Sequence, residues 1–178
     1  MAVLAGTRAP SRSEEEYWTA LAFEVLMADG ANSLLSHWLR REHTFCHGAV
    51  SMTEAHSDWG SQYFLVRLPY DQTDAALEHL GRRWRALPES VSDTMVGALK
   101  NRFLTRALSS LGRIQDRMTL LRDVVVAEAS HSTVPDDGLE ALVTRRISRL
   151  GTAHLLAYVR RYAAWDRVSL VCHPMQGA

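Results

Sequence analysis

The sequence has few of the features that mark specialised protein classes. Its two cysteines, Cys46 and Cys172, lie far apart with no CxxC or zinc-ribbon spacing, which excludes a disulfide framework and a thiolate metal site. We therefore expect reduced, buried thiols. No stretch reaches the roughly 18 apolar residues that a membrane span needs. Residues 1–10 also lack the basic region and long apolar run of a signal peptide.

Neither sign of charge is in excess. Twenty Lys and Arg residues balance twenty Asp and Glu residues, so no global field attracts nucleic acid or anionic lipid. The arginine pairs at 82–83, 145–146 and 160–161 lie beside apolar helical stripes, which favours solvated faces over a nucleic-acid site. At 178 residues we expect one cytoplasmic domain, residues 1–178, with no nucleic-acid or membrane partner.

The motifs of several enzyme classes are missing. The chain contains no Gly-x-Gly-x-x-Gly, no phosphate loop ending in Gly-Lys-Ser/Thr and no Gly-x-Ser-x-Gly elbow, so these nucleotide and hydrolase mechanisms lack their backbones. Cys46 and His47 are adjacent, and adjacent side chains of a strand point to opposite faces, which disfavours a thiol nucleophile with a histidine base.

The spacing of the histidines bears on whether the chain has a metal site, because histidine is a common metal ligand. Glu42-His43 supplies the last two letters of the inverted zinc motif HxxEH, but Leu39 stands at the first position. His37 lies six residues before His43, about 240° around a helix, so the two rings point apart. His43 and His47 are four residues apart, but we expect the helix to end between them. The sequence thus predicts no metal ligands in this chain.

Apolar spacing predicts both strands and helices. Strands are expected at residues 2–9, 45–52, 62–68 and 167–172, the middle two pairing as neighbours. Helical spacing dominates elsewhere and continues past Gly112 through Ile114 to Val125. Adjacent strands and separately gathered helices predict an α+β fold, a two-layer sandwich with a mainly antiparallel sheet covered by helices on one face.

The first helix has two further predicted features. Ser13 to Glu16 has the pattern of a capping box, in which the serine hydroxyl and the glutamate carboxylate satisfy each other's backbone amides. From Tyr17 to Met27 the helix is apolar nearly all round, so we expect it to be buried on more than one side. Gly30 then stops it, and Asn32 or Ser33 caps a second short helix.

The segment Leu26 to His47 (LMADGANSLLSHWLRREHTFCH) resembles a signature of the pitrilysin-type M16 metallopeptidases. In that family a buried helix ends in a Gly-rich turn, a short helix bears an arginine, and a strand opens with a tyrosine seven residues later. Residues 91–106 and 147–174 are similar to the helix after the second strand pair and to the closing helix and strand.

What the chain resembles is the C-terminal, zinc-less domain of that family as a stand-alone chain. The resemblance implies that a partner supplies HxxEH and the zinc, and that this chain has no cofactor and no catalytic residue of its own. In the family the arginine and the tyrosine reach toward the scissile peptide. Arg40 matches the arginine, whereas His47 replaces the tyrosine, which changes the hydrogen-bond donor at that position.

Two functions follow as hypotheses. In the first, the chain is a subunit of a two-chain peptidase of peptide maturation, inactive alone, with Arg40 and His47 as substrate-binding residues. In the second, it is a peptide- or protein-binding module of a biosynthetic pathway, without proteolysis. Arg40 could instead form a surface ion pair with Glu42 or Glu16, and His47 could face solvent. An open sheet edge favours a dimer over a monomer, either a heterodimer with the HxxEH-bearing chain or a homodimer.

Overall fold

A four-stranded antiparallel sheet forms one layer of the molecule. The computed structural model describes residues 1–46, 48–115, 118 and 138–174. The strands are β1 (Ala2–Ala9), β2 (Ala49–Ala55), β3 (Gly60–Arg67) and β4 (Ser169–His173). They pair in the order β2-β3-β1-β4, so β2 and β4 are the edges of the described sheet.

Helices form the second layer. A short helix, α2 (Leu34–Ser36), continues directly into a π-helical turn at His37–Arg41. Single 3-10 turns at Tyr70–Gln72 and Trp165–Arg167 lead into α3 (Thr73–Arg85) and β4. The predicted α+β sandwich is confirmed. The helices are α1 (Tyr17–Ala28), α2 (Leu34–Ser36), α3 (Thr73–Arg85), α4 (Leu87–Ser90), α5 (Asp93–Leu111), α6 (Gly138–Arg149) and α7 (Thr152–Arg161).

The core lies between one face of the sheet and α1. Alternate residues of β1 and β3 point inward in register, so that Val3 opposes Val66 and Ala5 opposes Phe64. Nearly every residue of α1 is buried, as its all-round apolar sequence predicts. Phe23, at its centre, contacts the aromatic rings of the sheet, α3 and α7: Phe64, Trp84 and Tyr158.

The backbone at the start of β3 lies very close to the backbone at the end of β1. Gly60 pairs with Ala9, and a Cβ atom on Gly60 would lie 2.3 Å from the carbonyl oxygen of Pro10. Only glycine allows the two backbones to approach this closely. The residue therefore fixes the register between β1 and β3.

Three local predictions are wrong. The capping box does not form, because the Ser13 hydroxyl donates to the Ser57 carbonyl and no side chain caps α1. The strand expected from Phe45 begins only at Ala49, because the Phe45 amide donates to a helical carbonyl. Cys172, expected to be buried, is exposed on β4, and only Cys46 is a buried thiol.

Some predictions fall on parts that the structure does not describe. The helical spacing expected to continue to Val125 runs into residues 119–137, which lie outside the described ranges.

None of the described helices combines the length and the apolar composition that a bilayer crossing requires.

Candidate functional site

The segment that follows α1 carries the predicted arginine. The chain leaves α1 through a turn in which Gly30 has φ of +74°, a left-handed conformation that suits glycine. The Ser33 hydroxyl then accepts the Ser36 amide at 3.4 Å and caps α2, as one of the two predicted caps. The backbone then widens into the π-helical turn.

The π-helical turn separates a buried side from an exposed side. Trp38 and Leu39 point into the core, and Leu39 is 0% exposed. Arg40 and Arg41 are exposed on the other side. π-Helical turns are rare and recur at functional sites. Two large buried side chains anchor this turn and hold the neighbouring guanidinium of Arg40 toward solvent.

The chain turns back sharply after Arg40. The carbonyl oxygen of Leu39 accepts the amides of Phe45 at 2.6 Å and Cys46 at 3.3 Å. The amide of Thr44 donates to the Arg40 carbonyl at 3.1 Å, and Thr44 has φ of 54°, which is unusual for a β-branched residue. These bonds fold residues 40–46 into a compact loop.

Arg40 has no carboxylate partner among the described residues. The carboxylate of Glu42 is bound by Arg83, and that of Glu16 by Arg161 at 2.5 Å. Both acids are therefore engaged with other arginines, and the predicted ion pair of Arg40 with Glu42 or Glu16 does not form. His47, the second predicted site residue, lies outside the described residues.

Cys46 is a buried structural thiol. Burial raises its pKa, against the opposing effects of a hydrogen bond to the Gly48 backbone and of the nearby Arg40 charge. The thiol form therefore dominates at neutral pH, and the thiol is not a nucleophile.

Glu42 connects the loop to α3. Its carboxylate lies 2.6 Å from Arg83 Nη2, and Arg83 Nε donates to it at 3.1 Å. His37 Nε2 lies 3.3 Å and His79 Nε2 3.1 Å from its oxygens. Burial opposes ionisation, but the hydrogen bond and charge of Arg83, with His37 and His79, hold the pKa of Glu42 below its usual value.

Sequence spacing could not reveal the histidines that surround this carboxylate. His43 and His79 are 36 positions apart, yet their ring centroids lie 4.2 Å apart, because α3 packs against the π-helical turn. The residues do not fit the catalytic zinc of HxxEH, since Leu39 is buried at the first position of that motif. Residue spacing along one helix cannot reveal a contact between side chains of two different elements.

The sheet face opposite α1 is apolar and open. Val50 and Met52 of β2 are 64% and 57% exposed, and Val171 of β4 is 59% exposed. Tyr63 and Leu65 of β3 lie between these edges in register. Cavities of about 410 and 550 Å³ lie elsewhere, and Arg40 lines neither.

The similarity of this chain to known proteins lies in its fold. No protein-family model matches the sequence, and no curated protein matches it. Among solved structures, an inactive peptidase domain from Bordetella parapertussis aligns with a TM-score of 0.74 at 18% identity, covering 99% of this chain and 92% of that one. A protease from Helicobacter pylori aligns with a TM-score of 0.76 at 16% identity over 95% of this chain.

A third similar structure is an inactive domain of the M16 peptidases. The inactive domain of an M16 peptidase from Pseudomonas fluorescens aligns with a TM-score of 0.73 at 11% identity over 95% of this chain. The chain spans only 40% and 39% of the Helicobacter and Pseudomonas chains. At sequence identities this low, the alignments show a shared fold and do not show shared site residues. The fold of this chain is that of the inactive domain of M16 peptidases.

Proposed function

We propose that this chain is the zinc-less subunit of a two-chain M16-like peptidase and closes the peptide chamber over a partner that carries HxxEH. The observation that carries the proposal is Arg40, an exposed guanidinium on a buried-anchored π-helical turn without a described carboxylate partner. An unneutralised cation of this kind is suited to a peptide carbonyl or carboxylate.

The open sheet supplies the surface that such a chamber needs. An extended peptide can add to a sheet edge through main-chain hydrogen bonds, which gives affinity with little dependence on sequence. Both edges, β2 and β4, are unpaired on their outer sides within the described residues. The exposed apolar residues Val50, Met52 and Val171 flank the same face.

Within this proposal each residue has a limited role. Arg40 binds and polarises the substrate carbonyl, His47 lines the same wall, and the bond-breaking zinc belongs to the partner. The chain alone is inactive, the complex is a cytoplasmic heterodimer, and its reaction is the maturation of a peptide. The M16 inactive domains that share the fold support the zinc-less role.

The experiment combines this chain with an HxxEH-bearing M16-type protein encoded in the same genome. Co-expressed and purified together, the two should form a stoichiometric complex that cleaves a quenched fluorescent peptide library in a zinc-dependent reaction. Arg40→Ala should lower kcat/KM about 10²-fold, the scale of removing one donor to a developing oxyanion. Arg41→Ala, one residue further along the same turn, is the matched control and should retain activity.

Two results would refute the proposal. Arg40→Ala could leave cleavage and complex formation unchanged, which would remove Arg40 from the site. Alternatively, the chain could bind library peptides saturably while no metal supplement or HxxEH partner produces turnover. That second result would identify the alternative function, a peptide-binding module without proteolysis.

A further inference from the structure

A cluster of potential metal ligands lies beside the Arg40 loop. Glu42 and His43 follow the π-helical turn, and His79 lies in α3. One ligand atom from each of these three residues lies within 4.8 Å of the others. The donors therefore come from two elements that tertiary packing brings together.

His79 is the residue that points to a ligand. It is 7% exposed, and its Nε2 atom has no hydrogen-bond partner. Nε2 lies only 3.1 Å from Glu42 Oε2, but the ring N–H direction does not make this contact a hydrogen bond. A buried ring nitrogen without a hydrogen-bond partner calls for an explanation, and a cation bound by both Nε2 and the Glu42 carboxylate would give it a partner.

Protonation of His79 is a poor solution to this contact. Burial, with the nearby His43 and the arginines of α3, lowers the pKa of His79, although Glu42 acts in the opposite direction. This shift favours the neutral imidazole, which has a free lone pair. Neutral imidazole is the form that binds transition metals.

We propose that Glu42, His43 and His79 bind a divalent transition-metal ion of the zinc class. Two imidazoles and one carboxylate form a donor set that suits zinc and leaves a fourth position for water. Metal–ligand distances of about 2.0–2.2 Å require the donors to approach more closely than 4.8 Å. His43 is exposed and can make most of this movement.

Arg83 competes for the same carboxylate. Its guanidinium contacts Glu42 and its side chain is 47% exposed, so it can turn into solvent when a metal ion arrives. A bound ion would then tie the loop of residues 40–46 to α3 by coordinate bonds. This inference concerns the chain alone and is independent of the proposed peptidase partner.

The test uses the full chain freed of metal by a chelator. Zinc titrated into it in a calorimeter should bind at one equivalent with micromolar or tighter affinity, and cobalt in its place should give the visible absorption of a nitrogen-ligated site. His43→Ala should weaken zinc binding at least tenfold. His154→Ala, which removes an exposed histidine of α7, is the matched control and should leave the affinity unchanged.

A second variant separates loss of ligands from loss of folding. Arg83→Ala removes the competing cation, so it should strengthen zinc binding, a result that an unfolded protein would not give. The proposal is overturned if wild-type protein binds no zinc at one equivalent. It is equally overturned if His43→Ala binds as tightly as wild type or if Arg83→Ala weakens the site.

Discussion

The hydroxyl of Tyr158 in α7 donates a hydrogen bond to the side-chain oxygen of Gln62 in β3 at 3.0 Å, in the fully buried layer between helix and sheet. The amide nitrogen of Gln62 donates to the Ala20 carbonyl at 2.9 Å and to Thr53 Oγ1 at 2.7 Å. Burial raises the pKa of Tyr158, so its hydroxyl stays a donor. One amide thus connects two strands to two helices.

Tyr158→Phe should lower the free energy of unfolding by roughly 1–3 kcal/mol, because it leaves a buried amide oxygen without a donor. Chemical denaturation measures this loss. Tyr70→Phe removes a hydroxyl from a tyrosine that is 78% exposed and should change stability little. Equal stability of the two variants would show that the Tyr158–Gln62 hydrogen bond contributes nothing.

Arg102 in α5 binds the carboxyl end of α1. Its Nη2 donates to the carbonyls of Val25 at 2.9 Å and Asp29 at 2.5 Å, and its Nη1 donates to Asn32 at 3.3 Å. A cation that binds the last carbonyls of a helix also opposes the negative end of the helix dipole. Arg102→Ala should therefore destabilise the fold by roughly 1–3 kcal/mol.

The control for Arg102 is Arg82→Ala, an exposed arginine of α3. Hydrogen exchange adds a local measurement: the amides of residues 26–36 should exchange faster in Arg102→Ala than in wild type. Unchanged exchange in that turn would contradict the capping role.

Acid should weaken the fold through Glu14. Burial tends to raise the pKa of Glu14, but hydrogen bonds from the Ser11 backbone and side chain and from Tyr162, with the Arg161 charge, outweigh it and lower that pKa below 4.5. A depressed carboxyl pKa adds stability that is fully present above about pH 4.5 and lost as the pH falls through the folded-state pKa.

As the pH falls below about 4.5, the free energy of unfolding of the wild type should therefore decrease more steeply than that of Glu14→Gln. Chemical denaturation at a series of pH values measures both. Glu15→Gln, the exposed neighbour, should retain the wild-type slope. If Glu14→Gln kept that slope too, the carboxylate contacts would not be the cause.

The open sheet face predicts a separation of stability from assembly. Met52 is 57% exposed, so Met52→Lys should change the free energy of unfolding by less than about 0.5 kcal/mol. If this face meets a peptide or partner, the same change should weaken complex formation because it places a charge in an apolar contact. Ile114→Lys, at an 81% exposed position after α5, is the control. Assembly unaffected by Met52→Lys would exclude this face.

The sheet and its layer arrangement could be predicted from the sequence because alternating and helical apolar periods are local. The expected pairing of strands 45–52 and 62–68 is confirmed as β2 with β3. The start of β2 could not be predicted, since the amides of Phe45 and Cys46 are taken by the Leu39 carbonyl. That competition depends on how the π-helical turn folds back.

The site was less predictable than the fold. Only the family resemblance indicates Arg40, and the exposure of its side chain agrees with a binding role, which stays a proposal together with His47. The His43 and His79 contact could not be found, because only the packing of α3 on the turn joins residues so far apart in the chain.

Thr44 holds a left-handed backbone that costs an ordinary residue about 1–3 kcal/mol. The loop that carries Arg40 therefore does not rest in its lowest local conformation, and the surrounding hydrogen bonds keep it there. A glycine at position 44 would accept the same geometry at little steric cost, yet it would give the unfolded chain more freedom. Threonine at this position strains the folded backbone, but it also leaves the unfolded chain with fewer accessible conformations than glycine would.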